Sequence, residues 1–199
     1  MKKTTKGADS KNKILEAAID LFAEKGYRGT KISDIVKAAG LTQAAFYLYF
    51  SSKESIFQEI LERFYMRLEE HLQAAVMPSA IEPGEFSMRI RRNIESILTI
   101  FQEHPKATRI FLTEERSIDE VEILIHQTIA SNLKQHQSTG LIRNDLSPHM
   151  MANGMIGLFI QVTLKELLEK QRSPKDVANE ITEVLLYGLA QYRPEGTGR

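Results

Sequence analysis

The stretch ISDIVKAAGLTQAAFYLYFSSKE, residues 32–54, constrains this chain more than any other part of it. Ile32, Ile35, Val36 and Ala39 recur at helical spacing, with Ser33, Asp34 and Lys37 turned away. Gly40 stands where a helix needs a left-handed residue to end, and Leu41 can return to the core. Thr42 can cap a second helix, its hydroxyl accepting from an orphan amide of the next turn. That second helix spans only about two turns before Ser51 and Glu54, which have capping-box spacing for a third. Two helices joined by a tight glycine-containing turn predict a helix-turn-helix, whose second helix enters the DNA major groove. An ordinary helical hairpin has the same outline, so the choice rests on the chemistry of the short helix.

Gln43, Ala44 and Ala45 open that helix with small or amide-bearing side chains, which allow close approach to base edges. Phe46 and Phe50, four apart, can both point inward. Tyr47 and Tyr49 are left for the flanks, where a phenol can bond phosphate oxygen. Lys53 falls in the first turn of the next helix, beside amides that favour an anion. The expected DNA-contacting set is Thr30 and Lys31 at the start of the motif, then Thr42, Gln43, Ala45, Tyr47, Tyr49 and Lys53.

Gly26, Gly29-Thr30, Ile35, Ala38-Ala39-Gly40, Phe46-Tyr47-Leu48-Tyr49-Phe50 and Ser52-Lys53-Glu54 together resemble the N-terminal DNA-binding domain of TetR/AcrR-type transcriptional repressors. The resemblance covers residues 8–68; beyond it, only length and helical texture are similar. It implies a three-helix DNA-binding domain at 8–68, with the helix-turn-helix at about 31–50, and a helical effector-binding and dimerisation domain at 69–192. The family often carries histidine where this chain has Tyr49, which keeps a hydrogen-bonding tip but cannot become a cation.

Charge points the same way. Net charge is zero, yet residues 1–53 hold ten Lys/Arg against five Asp/Glu, and the remainder 16 against 21. A basic third on an acidic body suits a protein that meets phosphate with one end. Without Lys2, Lys3 and Lys6, which precede the first expected helix, that third still carries a balance of +2. The chain has no cysteine, so no disulfide or thiolate metal site is expected. No apolar run follows the N-terminal lysines, and no stretch approaches about 18 uninterrupted apolar residues. Neither a signal peptide nor a membrane span is therefore expected, and the protein is placed in the cytoplasm.

The remaining texture predicts an all-α chain. A first helix carries Ile14, Ala18, Leu21 and Phe22 and stops at Gly26; a long helix runs from Ser52 to about Val76. Met77-Pro78 and Pro83-Gly84 mark a loop, and five helices follow. The last two begin at Ser147-Pro148 and Ser173-Pro174, a cap residue and then proline at the first helical position. Residues 148–170 have too wide an apolar stripe for one neighbour, and Gly154 and Gly157 would admit a close backbone or ligand. A homodimer is expected through these two helices, since a recognition helix of about two turns reads few base pairs and two copies add their discrimination. Met88, Phe101, Phe111, Leu124, Met151, Met155 and Phe159 lie on helices expected to converge, and methionine suits a pocket of adaptable shape. A methionine or aromatic stripe is more often plain core, so no effector-binding residue is singled out.

Catalysis has no support in the sequence. The residues three before the five histidines are Leu68, Phe101, Ile123, Leu133 and Leu146, so the Glu-x-x-His pairs of helical metal oxidases are missing. There is no HExxH, no GxSxG and no glycine-rich phosphate loop. The expectation is a ligand-responsive repressor on a palindromic operator, released by a small hydrophobic molecule, with no cofactor, catalytic residue or metal. The rival is a constitutive DNA-binding protein of the same fold that acts through a protein partner.

Overall fold

The structure, a computed structural model, describes residues 6–74, 78, 81–114 and 119–189. Every regular element among them is a helix, in agreement with the periodicity. Contacts divide the chain into two compact units, residues 1–70 with 103–123 and residues 71–102 with 124–199.

The first unit holds α1 (Lys6–Gly29), α2 (Ile32–Ala38), α3 (Gln43–Tyr47), α4 (Lys53–Ala74) as far as residue 70, and α6 (Pro105–Thr113). Its core is continuous: Ile14, Phe22, Ile35, Phe46, Phe57 and Ile110 are all essentially inaccessible to water. Phe22, Tyr27 and Phe57 meet in a triangle of rings with centroids 4.8 to 5.7 Å apart. Burying aromatic rings of this size gives about 1.5–3 kcal/mol each before entropy is counted. α1 does turn at Gly26, whose φ of 73° is open to glycine at little cost.

Two features of this unit differ from the sequence expectation. The cap of α4 is built from Ser52 and Ser55, each hydroxyl accepting from the other's amide at 3.1 and 3.0 Å, and not from Ser51 and Glu54. Glu54 is drawn away by Tyr27, whose hydroxyl donates to Oε2 at 2.7 Å. The sequence groups α6 with the C-terminal helices, yet it packs on α1. Ile110 enters the core, Phe111 lies 5.2 Å from Phe64, and Lys106 reaches Asp20 at 2.8 Å. Phe111 therefore leaves the set of effector-pocket candidates.

The second unit holds α5 (Pro83–Glu103) through Gln102, α7 (Asp119–Ser138) from Leu124, α8 (Pro148–Val162) and α9 (Pro174–Tyr187). Leu98 and Phe101 are buried, with Phe159 5.9 Å from the Phe101 ring. Met151 and Met155 pack on Ala130, Leu133 and Ala152, whereas Met88 is turned out. The side chain of Leu124, the expected helix start at Ser117, and the expected ends at Val76 and Tyr192 lie outside the described residues, as does Met77. Ser173 caps α9 as expected, accepting from the Asp176 amide at 3.1 Å. Ser147 makes no side-chain cap, so proline at the first position alone begins α8. After Val162 the helix widens into π turns over Thr163–Glu169, where the Lys170 amide reaches back five residues to Lys165.

His136 is 2 % exposed, faces the Phe86 ring, and neither ring nitrogen has a partner among the described residues. Burial holds its imidazole below the ordinary value of 6.5. The folded state therefore resists a proton that the unfolded chain accepts near 6.5. Nothing is lost above that pH, and stability falls as pH drops from 6.5 towards the depressed value. The slope is at most about 1.4 kcal/mol per pH unit. Chemical denaturation between pH 7.5 and 5 should show this loss in the wild type, and His136→Leu should flatten it.

Candidate nucleic-acid interface

α2 buries Ile35 and Val36 and ends as its sequence dictates. Gly40, at φ 67°, lets the Leu41 amide reach the Val36 carbonyl at 2.8 Å and its own amide reach Lys37 at 3.2 Å. These two bonds form a Schellman stop, which fixes the angle at which the chain leaves the helix. Thr42 then caps α3, its Oγ1 accepting from the Ala45 amide at 3.2 Å. Its hydroxyl thus holds the helix start, and any DNA contact it makes is additional.

Phe46 and Phe50 are buried with rings 5.6 Å apart, which settles the face α3 shows to water. Gln43, Ala44, Tyr47 and Leu48 are exposed; Ala45, expected at the interface, is half-buried, and Ala44 is the small residue facing out. Leu48 is 78 % exposed and was missed in the sequence reading. Its signal was available: with 46 and 50 pointing inward, helical periodicity sends 47 and 48 outward. Tyr49 is half-buried, and its hydroxyl lies 3.5 Å from where a Cβ on Gly7 would stand, at the first turn of α1. Lys31 is exposed at the cap of α2, where its amide donates to Asp34 at 3.1 Å.

Two expected contacts are corrected by the geometry. Thr30 is 1 % exposed, and its hydroxyl donates to the Gly26 and Leu21 carbonyls at 2.9 and 3.2 Å, so it faces the core. Lys53 turns inward as well. Its Nζ donates to the carbonyls of Tyr27 and Thr30 at 2.7 and 2.8 Å and sits 4.1 Å from the Tyr27 ring centroid. The end of α1 leaves carbonyls without helical partners, and a cation there satisfies them and complements the helix dipole. A second clamp joins α1 to α4 through Lys11, 2.8 Å from Glu59, which also holds Arg63 at 2.6 Å. Burial pushes the Glu59 carboxyl upward, but the hydrogen bonds from Lys11 and Arg63 prevail and hold it below the ordinary range.

The outward surface thus presents one amide, one methyl, one phenol and one isobutyl group on α3, with Tyr49 and Lys31 at its margins. No cluster of three or more potential metal ligands occurs among the described residues. No described helix is long and apolar enough to cross a membrane.

Comparison with known proteins agrees with this geometry. The sequence profile of bacterial regulatory proteins, tetR family, matches residues 14–60. The chain is 28% identical over 185 residues to the HTH-type transcriptional regulator YdgC of Bacillus subtilis, covering 93% of this chain and 95% of that protein. It is 26% identical to the HTH-type transcriptional repressor DhaR of a Mycobacterium species, over 82% of this chain and 85% of the other. Among solved structures, FadR of Bacillus subtilis in complex with stearoyl-CoA has the same fold, with a TM-score of 0.67 and 21% identity, covering 90% of this chain and 99% of that one.

The placement of the lysines separates two outcomes. Lys31→Ala should make the log-affinity versus log-salt slope for duplex DNA shallower by about one unit, as expected for a lost phosphate contact. Lys53→Ala should leave that slope unchanged while lowering stability by about 2–3 kcal/mol, since it removes charge-assisted bonds inside the domain. A shallower slope for Lys53→Ala, measured by fluorescence anisotropy, would return this residue to the DNA surface.

Proposed function

The chain belongs to the TetR family of bacterial regulatory proteins, DNA-binding transcription regulators and not enzymes, and from that premise we propose that it is a ligand-responsive repressor acting as a homodimer on a palindromic operator. The observation that carries this reading is the outward face of α3, a groove-sized surface with Phe46 and Phe50 locked beneath it. On it, Gln43 is assigned to a base edge, where its amide can pair with adenine. Leu48 and Ala44 offer apolar contact to a thymine methyl. Tyr47, Tyr49 and Lys31 are assigned to phosphates, Tyr49 beside the first amides of α1.

A dimer follows from the size of α3, which reads only a few base pairs, and from the surface of the last two helices. On α8 the exposed positions Met150, Asn153, Gly154, Gly157 and Gln161 fall on one stripe, and nothing lies within 4 Å of where a Cβ on either glycine would stand. On α9, Val184 and Tyr187 are exposed, and Leu189 just beyond the helix is 91 % exposed. A stripe with glycines at its centre, beside exposed apolar side chains of α9, allows a second helix pair to approach closely. The effector is assigned to the second unit, where Phe101, Phe159, Met151 and Met155 provide an apolar, adaptable lining. Stearoyl-CoA, the ligand in the FadR structure, is the natural first probe. A cytoplasmic location accords with an operator as the partner.

A ligand releases DNA only by binding the DNA-incompetent form more tightly, and linkage makes the effect reciprocal. Operator selected from random duplexes by the protein should weaken stearoyl-CoA binding by the same factor by which stearoyl-CoA weakens operator binding, as read by calorimetry. Equal ligand affinity for free and operator-bound protein would favour the constitutive alternative. Gln43→Ala should cost about 1–3 kcal/mol on the selected operator and little on random DNA. Leu189→Glu should place an unpaired charge in the dimer face at a cost of several kcal/mol, and sedimentation at micromolar concentration should find monomer. A variant that stays dimeric would move the interface elsewhere.

A further inference from the structure

The segments that flank the helix-turn-helix are both fastened to one residue. Upstream, Tyr27 closes the last turn of α1, with the Thr30 amide donating to its carbonyl at 3.4 Å, and Lys31 then caps α2. Downstream, α4 begins at Lys53, whose Nζ donates to the Tyr27 carbonyl at 2.7 Å and lies over its ring. The next residue, Glu54, accepts from the Tyr27 hydroxyl at 2.7 Å. Carbonyl, ring and hydroxyl of Tyr27 thus set where α2 starts and where α3 is handed on to α4. Its amide is held from far along the chain: Glu114, the residue closing α6, accepts from it through Oε1 at 2.9 Å. The fit is close, since a Cβ on Gly26 would stand 3.3 Å from that same oxygen, at a backbone φ of 73°.

We infer that Glu114 is a positioning residue for DNA reading, its carboxylate fixing the Gly26–Tyr27 turn from which both ends of the helix-turn-helix are held. This rests on the DNA-binding function proposed above. Glu114 lies well outside residues 14–60, so the reading head is completed by a side chain from α6. α6 has a second tether to α1, the Lys106–Asp20 ion pair, but both partners are more than half exposed. Such a pair holds little, whereas the Glu114 bond is partly buried and charge-assisted.

The test uses the full chain and a duplex selected from random DNA by the wild type. Glu114→Ala should lower affinity for that duplex about tenfold with no change in salt slope, because no phosphate contact is lost. Glu114→Asp keeps the charge but is one methylene too short, and should fall with it. Glu114→Gln keeps an oxygen that accepts from the Tyr27 amide, and should stay within about twofold of wild type. Lys106→Ala, which loosens α6 without touching Tyr27, should also stay within about twofold. Hydrogen exchange at the Tyr27 amide, which needs no DNA, should quicken in the Ala and Asp variants and not in Gln. Wild-type affinity in the Asp variant, a Gln variant as weak as Ala, a Lys106→Ala variant as weak as Glu114→Ala, or unchanged exchange at Tyr27 would each overturn the inference. If Glu114→Ala does not fold, the Asp and Gln pair decides alone. A wild type that selects no duplex would refute the DNA-binding reading instead, and Tyr27 exchange would still test whether Glu114 holds the turn.

Discussion

A helix of five residues cannot hold itself together in water, because its nucleation cost exceeds what one turn of hydrogen bonds returns. The proposed reading surface of this protein is such a helix, so its shape must come from what surrounds it. Phe46 and Phe50 anchor it from beneath, and the ends are set by the junction around Tyr27. At that junction the Lys53 ammonium lies over the ring and donates to the Tyr27 and Thr30 carbonyls, while the Glu54 carboxylate accepts from the hydroxyl. Lys53 there satisfies carbonyls that the end of α1 leaves open, which would otherwise be hydrated or strained. Two of its three N–H donors are engaged in this way, so its first role is inside the domain. Rigidity of the head and the positive charge on its surface therefore draw on different lysines.

The parts legible in the sequence are those governed by local rules. Gly40, Leu41 and Thr42 announce a Schellman stop and a new cap within three residues, and the structure forms both. The four-residue spacing of Phe46 and Phe50 announces the buried side of α3. What sequence alone did not reveal depends on partners distant along the chain. Thr30 and Lys53 have the residue types of a DNA contact, and only the fold shows their donors engaged by carbonyls of the α1 terminus. The α4 cap moved from Ser51 to Ser52 because Tyr27, 27 residues earlier, holds the Glu54 carboxylate that a local box would have used. α6 reads from its periodicity as one more amphipathic helix, and periodicity carries no information about which neighbour receives its apolar face.

The proposed recognition through α3 would draw on no charge, since the helix QAAFY carries none of either sign. Its contribution to affinity must come from shape, one amide and apolar contact, and the phosphate term must come from its margins. Base contacts of this kind discriminate by about 1–3 kcal/mol each, while phosphate contacts add affinity without discrimination. In the proposed dimer, doubling the head would multiply discrimination without adding charge to either copy.

The second unit is built to the opposite standard. Among the described residues His136, Thr163 and Asn179 bury polar atoms that no protein group meets, and α8 passes into π turns that begin at Thr163. Each such atom costs about 1–3 kcal/mol relative to a satisfied one. The exit of the π segment is secured at the surface instead, where Arg172 bridges Glu166 and Glu180 at 3.4 and 2.6 Å. The π segment is thus tied to α9 from its solvent-facing end, while Thr163 and Leu167 are buried. Met151 and Met155 on α8 have side chains that adapt their shape at little cost. The head is specified by satisfied bonds and the body by adaptable apolar side chains, so under the proposed switch the first would fix what is read and the second would take up the effector.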